Sequence, residues 1–307
     1  MNTTPHDNVL TIVAPKQGEL EEALIAALRE ALNGAPPDWL SEGEACDISF
    51  GGPLETANTA ISDVLDGAGM DSFAQKVEGR RKKFLIADMD FTIVTTETID
   101  ELAVFVGRGP EIAAITRRSM QGEMDFSEAI HERMAMLAGL EVSTFQETLA
   151  ATDLSPGAVT LVRTMTDHGA FTVMVTGGFE NFSGPIAGRA GFNEHRANRF
   201  EIEDGRLTGR VIEPILGPDA KLDTLMTLAG EHGIPMSETL AIGDGANDVP
   251  MIRAAGLGIA YRGKPVTRDA VLNPQDGTSG ACIDHADLTA ALFFQGFRKS
   301  EFTNRLS

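Results

Sequence analysis

The sequence predicts an α/β protein built on a parallel sheet, with a smaller α+β unit ahead of it. The chain has 307 residues, of which 42% are hydrophobic, and this length is typical of about two domains with a core each. Three short apolar runs each end in a polar residue and are separated by helical stretches, as in buried parallel strands. The first 80 residues stand apart in charge, with 14 acidic residues against 4 basic ones.

The N-terminal region alternates between strand and helix patterns. Residues 9–13 and 45–50 predict strands, whereas 19–32 and 56–65 have helical spacing. This β-α-β-α order predicts a small α+β (ACT-like) domain over residues 1–80, similar to the ligand-binding regulatory domains fused to many metabolic enzymes. No glycine-rich turn or polar cluster marks a site here, so we expect a regulatory or oligomerising role, and a homodimer is one arrangement open to it. The basic stretch 80–83 is interpreted as a solvated linker into a second domain, 81–307.

Charge and cysteine content exclude several classes of function. The net charge is −20 and the sequence pI about 4.6, which argues against non-specific binding to nucleic acid or to an anionic membrane. A small anionic substrate stays possible, because a local cation can reverse the sign at one site. Cys46 and Cys282 suggest neither a disulfide framework nor a thiolate zinc site. No lysine or arginine precedes Lys16 and no apolar run reaches 18 residues, so we expect neither a signal peptide nor a membrane span. We therefore expect a cytoplasmic protein.

Polar residues follow the three apolar runs of the second domain. The runs 84–87, 171–175 and 240–242 lead into Asp88, Thr176 and, after Gly243, Asp244. Ligands bind at the carboxyl ends of parallel strands, so we expect these side chains to meet. The long helical insertion between the first two runs, about 99–154, is interpreted as a cap over that edge.

Four carboxylates predict either a metal site or acid–base chemistry. Asp88 and Asp90 are two residues apart just past a strand, and Asp244 and Asp248 lie in a glycine-bearing loop. Such a pair can bind a hard cation, or divide the roles of nucleophile and general acid/base. Four acids at one edge would repel one another without a divalent cation. Mg²⁺ is the predicted ion, because no histidine or cysteine accompanies them.

The remaining polar residues are suited to binding a phosphoryl group. Thr176, Gly177 and Gly178 offer a hydroxyl and backbone amides at the end of a strand, and Lys221 opens a helical run, 221–230. Together with the carboxylates and a metal, these groups can cancel the charge of a phosphate and donate to its oxygens.

These four segments resemble, in order and spacing, the motifs of the haloacid dehalogenase superfamily. The segments are 88–92, 176–178, Lys221 and 243–248. Further residues are similar to the members that act on O-phospho-L-serine: 97–101, Met120 through Phe126 to Arg133, and 243–251 running into 254–260. The resemblance covers about residues 84–290. It implies a Rossmann-like core with a parallel sheet and a helical cap inserted after the first motif.

The resemblance also implies a role for each motif residue. Asp88 would be the nucleophile that forms an aspartyl-phosphate, and Asp90 the general acid and base. Mg²⁺ would be bound by Asp88, the carbonyl of Asp90 and Asp244, supported by Asp248. The implied substrate-binding residues are Glu97 for the ammonium, Arg133 for the carboxylate, Met120 and Phe126 as an apolar wall, Thr176, Gly177 and Lys221 for the phosphate, and Asn247 for phosphate or water. The implied reaction is hydrolysis of O-phosphoserine, the last step of L-serine biosynthesis.

Two departures leave alternatives open. The family usually has serine where this chain has Phe91 and Thr176. Threonine keeps the hydroxyl, whereas phenylalanine adds bulk that we expect near the phosphate loop.

One alternative is a phosphatase or phosphotransferase for another small phosphomonoester. The other is a non-catalytic phospholigand sensor, against which the presence of both Asp88 and Asp90 argues.

Overall fold

The computed structural model describes residues 6–120, 123–217, 219–273 and 280–303, which form two sheets flanked by helices. The strands are β1 Asn8–Val13, β2 Asp38–Ser41, β3 Ala45–Phe50, β4 Asp71–Lys76, β5 Phe84–Ala87, β6 Phe171–Phe179, β7 Glu194–Glu203, β8 Arg206–Ile212, β9 Thr239–Gly243, β10 Leu257–Tyr261 and β11 Gly280–Ile283. The helices are α1 Glu22–Leu32, α2 Leu54–Leu65, α3 Thr98–Val104, α4 Gly109–Met120, α5 Phe126–Met136, α6 Thr144–Ala151, α7 Ala158–Asp167, α8 Glu180–Ala190, α9 Ala220–Glu231, α10 Val249–Ala254, α11 Pro265–Leu272 and α12 Ala290–Phe294. None of the helices in these ranges combines the length and apolar character that a membrane span needs.

The N-terminal unit is an antiparallel sheet with α1 and α2 packed together beside it. The strand order is β2-β3-β1-β4, with β1 paired to both β3 and β4. The predicted strands and helices are present, and β2 and β4 add to them. Alternate residues of β4 are buried, so it has no continuous apolar run of the kind that marked β1.

The larger sheet has the order β11-β10-β9-β5-β6-β7-β8 and confirms the predicted α/β fold. Its strands are parallel except β8, which pairs with β7 as an antiparallel edge. Every residue of β5, β9 and β10 is buried, which explains their continuous apolar sequences. Because β9, β5 and β6 are adjacent, the segments that follow or end these three strands meet at one edge.

Of the five α-helices between β5 and β6, we call the first four, α3 to α6, the helical insertion. Two short segments join it to the sheet and pair with each other. Thr95 N donates to Asp153 O at 3.1 Å, and Ser155 N to Ile93 O at 2.8 Å. These two segments are the covalent links between the insertion and the sheet, and residues 139–142 of the insertion are also hydrogen-bonded to β8 and the turn before it.

The N-terminal sheet packs against the larger unit. One apolar cluster contains Val13, Leu40, Ala45 and Phe73 of the N-terminal unit together with residues of the larger one, Phe294 among them. The Asp71 carboxylate accepts hydrogen bonds from the backbone N–H groups of residues 284–286, which follow β11, at 2.7–3.3 Å. The two units therefore share one apolar cluster, while the N-terminal unit also has a separate cluster of its own between its sheet and the helices α1 and α2.

The basic stretch 80–83 differs from the expected solvated linker. Arg80 forms an ion pair with Asp47 at 2.7 Å, and its side chain is mostly buried. Arg81 pairs with Glu301 at 2.7 Å and lies 4.0 Å from the ring centroid of Phe297. Arg80 is therefore buried in an ion pair, whereas Arg81 and Lys83 form ion pairs and stay exposed to solvent.

Candidate active site

The predicted site residues converge at the carboxyl ends of β9, β5 and β6. Asp88 follows β5, Asp244 follows β9, and Thr176 lies inside β6, whose pairing with β7 changes register between Val175 and Phe179. Lys221, in the first turn of α9, reaches the same place. The sheet order thus accounts for the meeting of residues far apart in sequence.

Three carboxylates form a cluster that one cation could occupy. Asp88, Asp244 and Asp248 are buried and offer oxygen atoms that all lie within 4.8 Å of one another. The Lys221 ammonium donates to Asp88 at 2.6 Å and to Asp248 at 2.5 Å. Burial, and then the neighbouring Asp248 carboxylate, raises the pKa of Asp88 well above its usual range. An all-oxygen donor set with excess negative charge fits Mg²⁺.

Close packing explains the glycine that precedes Asp244. The Asp248 carboxylate accepts from the backbone N–H groups of Asp244 at 3.1 Å and Gly245 at 2.9 Å, which closes the loop on itself. A β-carbon at Gly243 would lie 2.3 Å from the Asp248 carboxyl carbon. Only glycine leaves space for Asp248 beneath the strand end.

Asp90 is held in a position suited to proton transfer. Thr98 N donates to one carboxylate oxygen at 2.9 Å, and the Thr176 hydroxyl donates to the other at 3.2 Å. Thr176 in turn accepts from Gly178 N at 2.8 Å. Burial raises the pKa of Asp90, an effect that these hydrogen bonds oppose. A raised pKa favours the protonated carboxyl that a general acid needs.

A small pocket lies beside Lys221, and we call it the phosphate-side pocket. Its lining includes Phe126, Thr176, Gly177, Lys221 and Asn247, all of them predicted site residues. A β-carbon at Gly177 would lie 3.1 Å from the Phe126 ring, so the glycine lets this ring approach the loop. The pocket combines a cation, a hydroxyl and an amide, the donors that an anion requires.

Glu97 lies close to Asp90, and Arg133 lies close to Glu97. Burial, and then the negative charge of Asp90, raises the pKa of Glu97 well above its usual range, while Arg133 acts in the opposite direction. Arg133 is only 7% exposed and donates to Thr116 Oγ1 and to Ala129 O, each at 3.3 Å. The charges of Glu97 and Arg133 are therefore close enough to act on each other, and Arg133 is buried. Met120 ends α4, and its side chain lies outside the described part of the structure.

Phe91 does not lie where the sequence suggested. Its ring is 44% exposed, and its backbone has φ +55°, which is uncommon for a residue with a side chain. The ring lines a separate cavity with Asp244 and Lys264, and it is absent from the lining of the phosphate-side pocket. The expectation of added bulk at the phosphate loop is therefore wrong, because the backbone at residue 91 turns the side chain to the other cavity.

Several residues of the site were not found from sequence. Lys264 pairs with Asp244 at 3.2 Å, from a position between β10 and α11. Burial raises the pKa of Asp100, and the positive charge of Arg133 opposes this effect. Thr116 Oγ1 accepts a hydrogen bond from the Arg133 guanidinium. A signal for Lys264 was available, since it precedes Pro265 at a helix start just past an apolar run. Asp100 and Thr116 carry no such signal, because only packing of the insertion brings them together.

Comparison with known proteins gives a family match over most of the larger unit. Residues 85–253 match the haloacid dehalogenase-like hydrolases. The chain is 37% identical over 252 residues to phosphoserine phosphatase SerB2 of Mycobacterium tuberculosis, covering 81% of this chain and 59% of that protein. It is 43% identical over 187 residues to phosphoserine phosphatase of Streptococcus thermophilus, covering 61% and 87% respectively.

A solved structure resembles nearly the whole chain. It is a haloacid dehalogenase family hydrolase, t0658, from Salmonella enterica serovar Typhi, with a TM-score of 0.80 and 26% identity. The match covers 94% of this chain and 98% of that one, so it includes the N-terminal unit. The chain spans between half and three fifths of the length of the longer curated relatives, 59% in Mycobacterium tuberculosis and 53% in Streptomyces coelicolor.

Proposed function

The chain belongs to the haloacid dehalogenase-like hydrolases, in the group that contains the phosphoserine phosphatases, and from this premise we propose that it hydrolyses O-phospho-L-serine to L-serine and phosphate. The observation that carries the proposal is the joint placement of Asp88, Asp90 and Lys221 beside a pocket suited to an anion. A cytoplasmic location and the last step of L-serine biosynthesis would be the setting of this reaction.

The first step would transfer the phosphoryl group to Asp88. A carboxylate oxygen of Asp88 attacks phosphorus as the bond from phosphorus to the seryl oxygen breaks. The proton of Asp90 goes to that oxygen, which leaves as the serine hydroxyl. Thr176, Gly177 and Lys221 hold the phosphate, and Asn247 orients it from the pocket wall.

The second step would release phosphate. Asp90, now ionised, takes a proton from a water molecule that attacks the aspartyl-phosphate and frees the Asp88 carboxylate. Its hydrogen bonds from Thr98 and Thr176 favour the ionised form at this stage, since both donors point at the carboxylate oxygens.

Magnesium is part of the proposal. Asp88, Asp244 and the backbone carbonyl of Asp90 would hold it, with Asp248 in support. When bound, Mg²⁺ would offset the charge of the carboxylates and of the phosphate and so keep Asp88 ionised.

Specificity for serine would come from Glu97 and Arg133. A carboxylate and a guanidinium that lie close to each other and to Asp90 suit the ammonium and carboxylate of an amino acid. Met120 and Phe126 would close an apolar wall, and the helical insertion would cover the site and exclude water during the reaction.

Phosphate release from a panel of phosphomonoesters tests the proposal. We expect the highest kcat/KM on O-phospho-L-serine, loss of activity when divalent cations are chelated, and recovery with Mg²⁺ alone. Asp88→Asn should abolish turnover while the circular dichroism spectrum stays unchanged, because the amide cannot form the acyl-phosphate. Asp63→Asn, on the exposed side of α2, is the matched control and should be fully active.

Two outcomes would contradict the proposal. A higher kcat/KM on another phosphomonoester would favour the alternative substrate class. Labelled phosphate trapped on Asp90 instead of Asp88 would overturn the assignment of the nucleophile.

A further inference from the structure

Residues 176–178, which we call the phosphate loop, form an irregularity in strand β6. Val175 of β6 pairs with Arg196 of β7, and the next pair along is Phe179 with Asn198. Between these pairs β6 therefore contains two residues more than β7. Irregularities of this kind interrupt the hydrogen bonds between strands and are common beside active sites. The backbone groups of the phosphate loop consequently need partners outside the strand pairing.

The side chain of Asn198 supplies one of these partners. Its Nδ2 donates to Gly177 O at 2.9 Å, and its Oδ1 accepts from Leu216 N at 2.7 Å. A carbonyl can only accept and an N–H can only donate, so the two contacts settle the orientation of the amide. Gly177 lines the phosphate-side pocket from one side, and Leu216 and Gly217 line it from another. Asn198 therefore joins two segments of the pocket wall.

The peptide unit between Gly177 and Gly178 is held at both of its polar atoms. Asn198 binds the carbonyl, and the N–H of Gly178 donates to Thr176 Oγ1 at 2.8 Å. The Thr176 hydroxyl in turn donates to Asp90 Oδ2 at 3.2 Å. A continuous series of hydrogen bonds thus connects Asn198 to the carboxylate that we assign as general acid and base.

Asn198 itself is too deeply buried to touch the phosphate. It is 2% exposed, and it is not among the described residues that line the pocket. An effect on phosphate binding must therefore act through the segments that Asn198 holds. Groups that are fixed before a ligand binds lose less entropy on binding, and they keep their donors directed at the charge of the ligand.

We propose that Asn198 is a positioning residue, which holds the phosphate loop and the segment of Leu216 and Gly217 in the arrangement that binds a phosphate. The inference rests on the proposed function, because it takes the phosphate-side pocket as the place of the substrate phosphate. The side-chain contacts of Asn198 involve this pocket alone, so its effect is the same for every phosphomonoester. Arg133 differs in this respect, since its proposed contact is with the carboxylate of serine.

Binding of inorganic phosphate tests the proposal directly. Asn198→Leu removes both hydrogen bonds and nearly keeps the size of the side chain, and Asn198→Ala removes them without any added bulk. With Mg²⁺ present, we expect phosphate to bind both variants about tenfold more weakly than wild type in isothermal titration calorimetry, as for a lost buried hydrogen bond. The kcat/KM values for phosphoserine and for p-nitrophenyl phosphate should fall by a common factor.

The matched controls are Asn193→Leu and Asn193→Ala, at the other end of the same two strands. Asn193 Oδ1 accepts from Thr172 N at 2.8 Å and from Thr172 Oγ1 at 3.1 Å. Substitution at either asparagine should lower the thermal midpoint of unfolding, but only the Asn198 variants should lose affinity for phosphate. An equal loss of phosphate affinity in the Asn193 variants would mean that the effect comes from stability alone, and the proposal would be wrong.

Asn198→Asp adds a test by rescue. The introduced carboxyl keeps the acceptor for Leu216 N, but it can donate to Gly177 O only when it is protonated. Burial raises the pKa of a carboxyl, so the donor is present at low pH and is lost as the pH rises. The phosphate affinity of this variant, relative to wild type at the same pH, should therefore be highest at the lowest pH at which both proteins are folded.

Three outcomes would overturn the inference. They are equal phosphate affinity in wild type and the two neutral Asn198 variants, weaker phosphate binding in Asn198→Asp alone, which an added negative charge explains, and a loss of kcat/KM confined to phosphoserine. The proposed function fails by a different result, a wild-type protein that prefers another phosphomonoester. In that case the phosphate affinities still decide the role of Asn198.

Discussion

At the scale of single residues, the balance of charge decides what the site can hold. Asp88, Asp244 and Asp248 face two lysines, Lys221 and Lys264, so the fully ionised cluster carries one negative charge. A dianionic phosphate would be repelled by it. A bound divalent cation would make the net charge of the cluster positive, so that a phosphate would be attracted. For this reason the proposal includes both the metal and the substrate.

Arg133 separates amino-acid specificity from general phosphatase chemistry. A buried guanidinium can grip a carboxylate through two parallel hydrogen bonds, and Arg133 is oriented by Thr116 Oγ1 and Ala129 O. Arg133→Ala should cost about 1.5–3 kcal/mol of binding, or roughly ten- to a hundredfold in kcat/KM for phosphoserine. Hydrolysis of p-nitrophenyl phosphate, which has no carboxylate, should change much less.

The control for this prediction lies on the same insertion. Arg117 is exposed on α4, and Arg117→Ala should leave both substrates unaffected. Equal losses on both substrates in Arg133→Ala would mean that Arg133 positions the insertion, and the proposed contact with the substrate carboxylate would be wrong.

The motif residues could be predicted from the sequence because each lies next to a recognisable apolar run. Asp88, Thr176 and Asp244 each follow or end a buried apolar run, and the rule that ligands bind at strand ends brings them together. The direction of the Phe91 side chain was not predictable, since it depends on a backbone dihedral angle at one residue. Lys264 was missed because the apolar run of β10 contains glycine and was not recognised as a fourth strand.

At the scale of elements, β2 and β4 show the limit of apolar patterns. Strand β4 alternates buried and half-buried residues up to its exposed last residue, and two of the three buried ones, Asp71 and Gln75, are polar and hydrogen-bond to the larger unit. The Gln75 side chain donates to Phe294 O at 2.5 Å. In a single sequence, polar residues that contact a neighbouring unit cannot be distinguished from polar surface residues. Strand β4 could therefore not be predicted from the sequence.

Asp71 provides a test of this contact between elements. Its carboxylate accepts from the N–H groups of Asp284, His285 and Ala286, and Asp71→Ala leaves these donors without their acceptor. We expect the free energy of unfolding to fall by about 2–4 kcal/mol, measured by urea denaturation. Asp71→Asn keeps one acceptor oxygen and should lose less.

Asp63 again offers a control, because it is exposed on α2 of the same unit. Asp63→Ala should change the free energy of unfolding by about 0.5 kcal/mol or less. If Asp71→Ala were no more destabilising than Asp63→Ala, the segment after β11 would not depend on β4.

At the scale of the whole molecule, the two units are joined through a shared apolar cluster. Phe73 of β4 packs on Phe294 of α12 with ring centroids 5.7 Å apart, and Arg80 in the connecting stretch pairs with Asp47 of β3. The sequence suggested two domains with separate cores and a solvated linker. The N-terminal unit does have a cluster of its own, but one face of its sheet is buried against the larger unit, and this predicts that the two units unfold together.

The single tryptophan makes cooperative unfolding measurable. Trp39 lies on β2 and packs against the N-terminal cluster, so its fluorescence reports on that unit, while far-ultraviolet circular dichroism reports mainly on the larger one. In urea the two signals should have the same midpoint, because exposing the shared cluster destabilises both units at once.

Phe73→Ala should lower the tryptophan midpoint more than the circular dichroism midpoint, since a lost buried phenylalanine costs about 3–5 kcal/mol. Phe145→Ala, in the helical insertion away from the contact, should move both midpoints together, and separate midpoints in the wild type would show that the two units are independent.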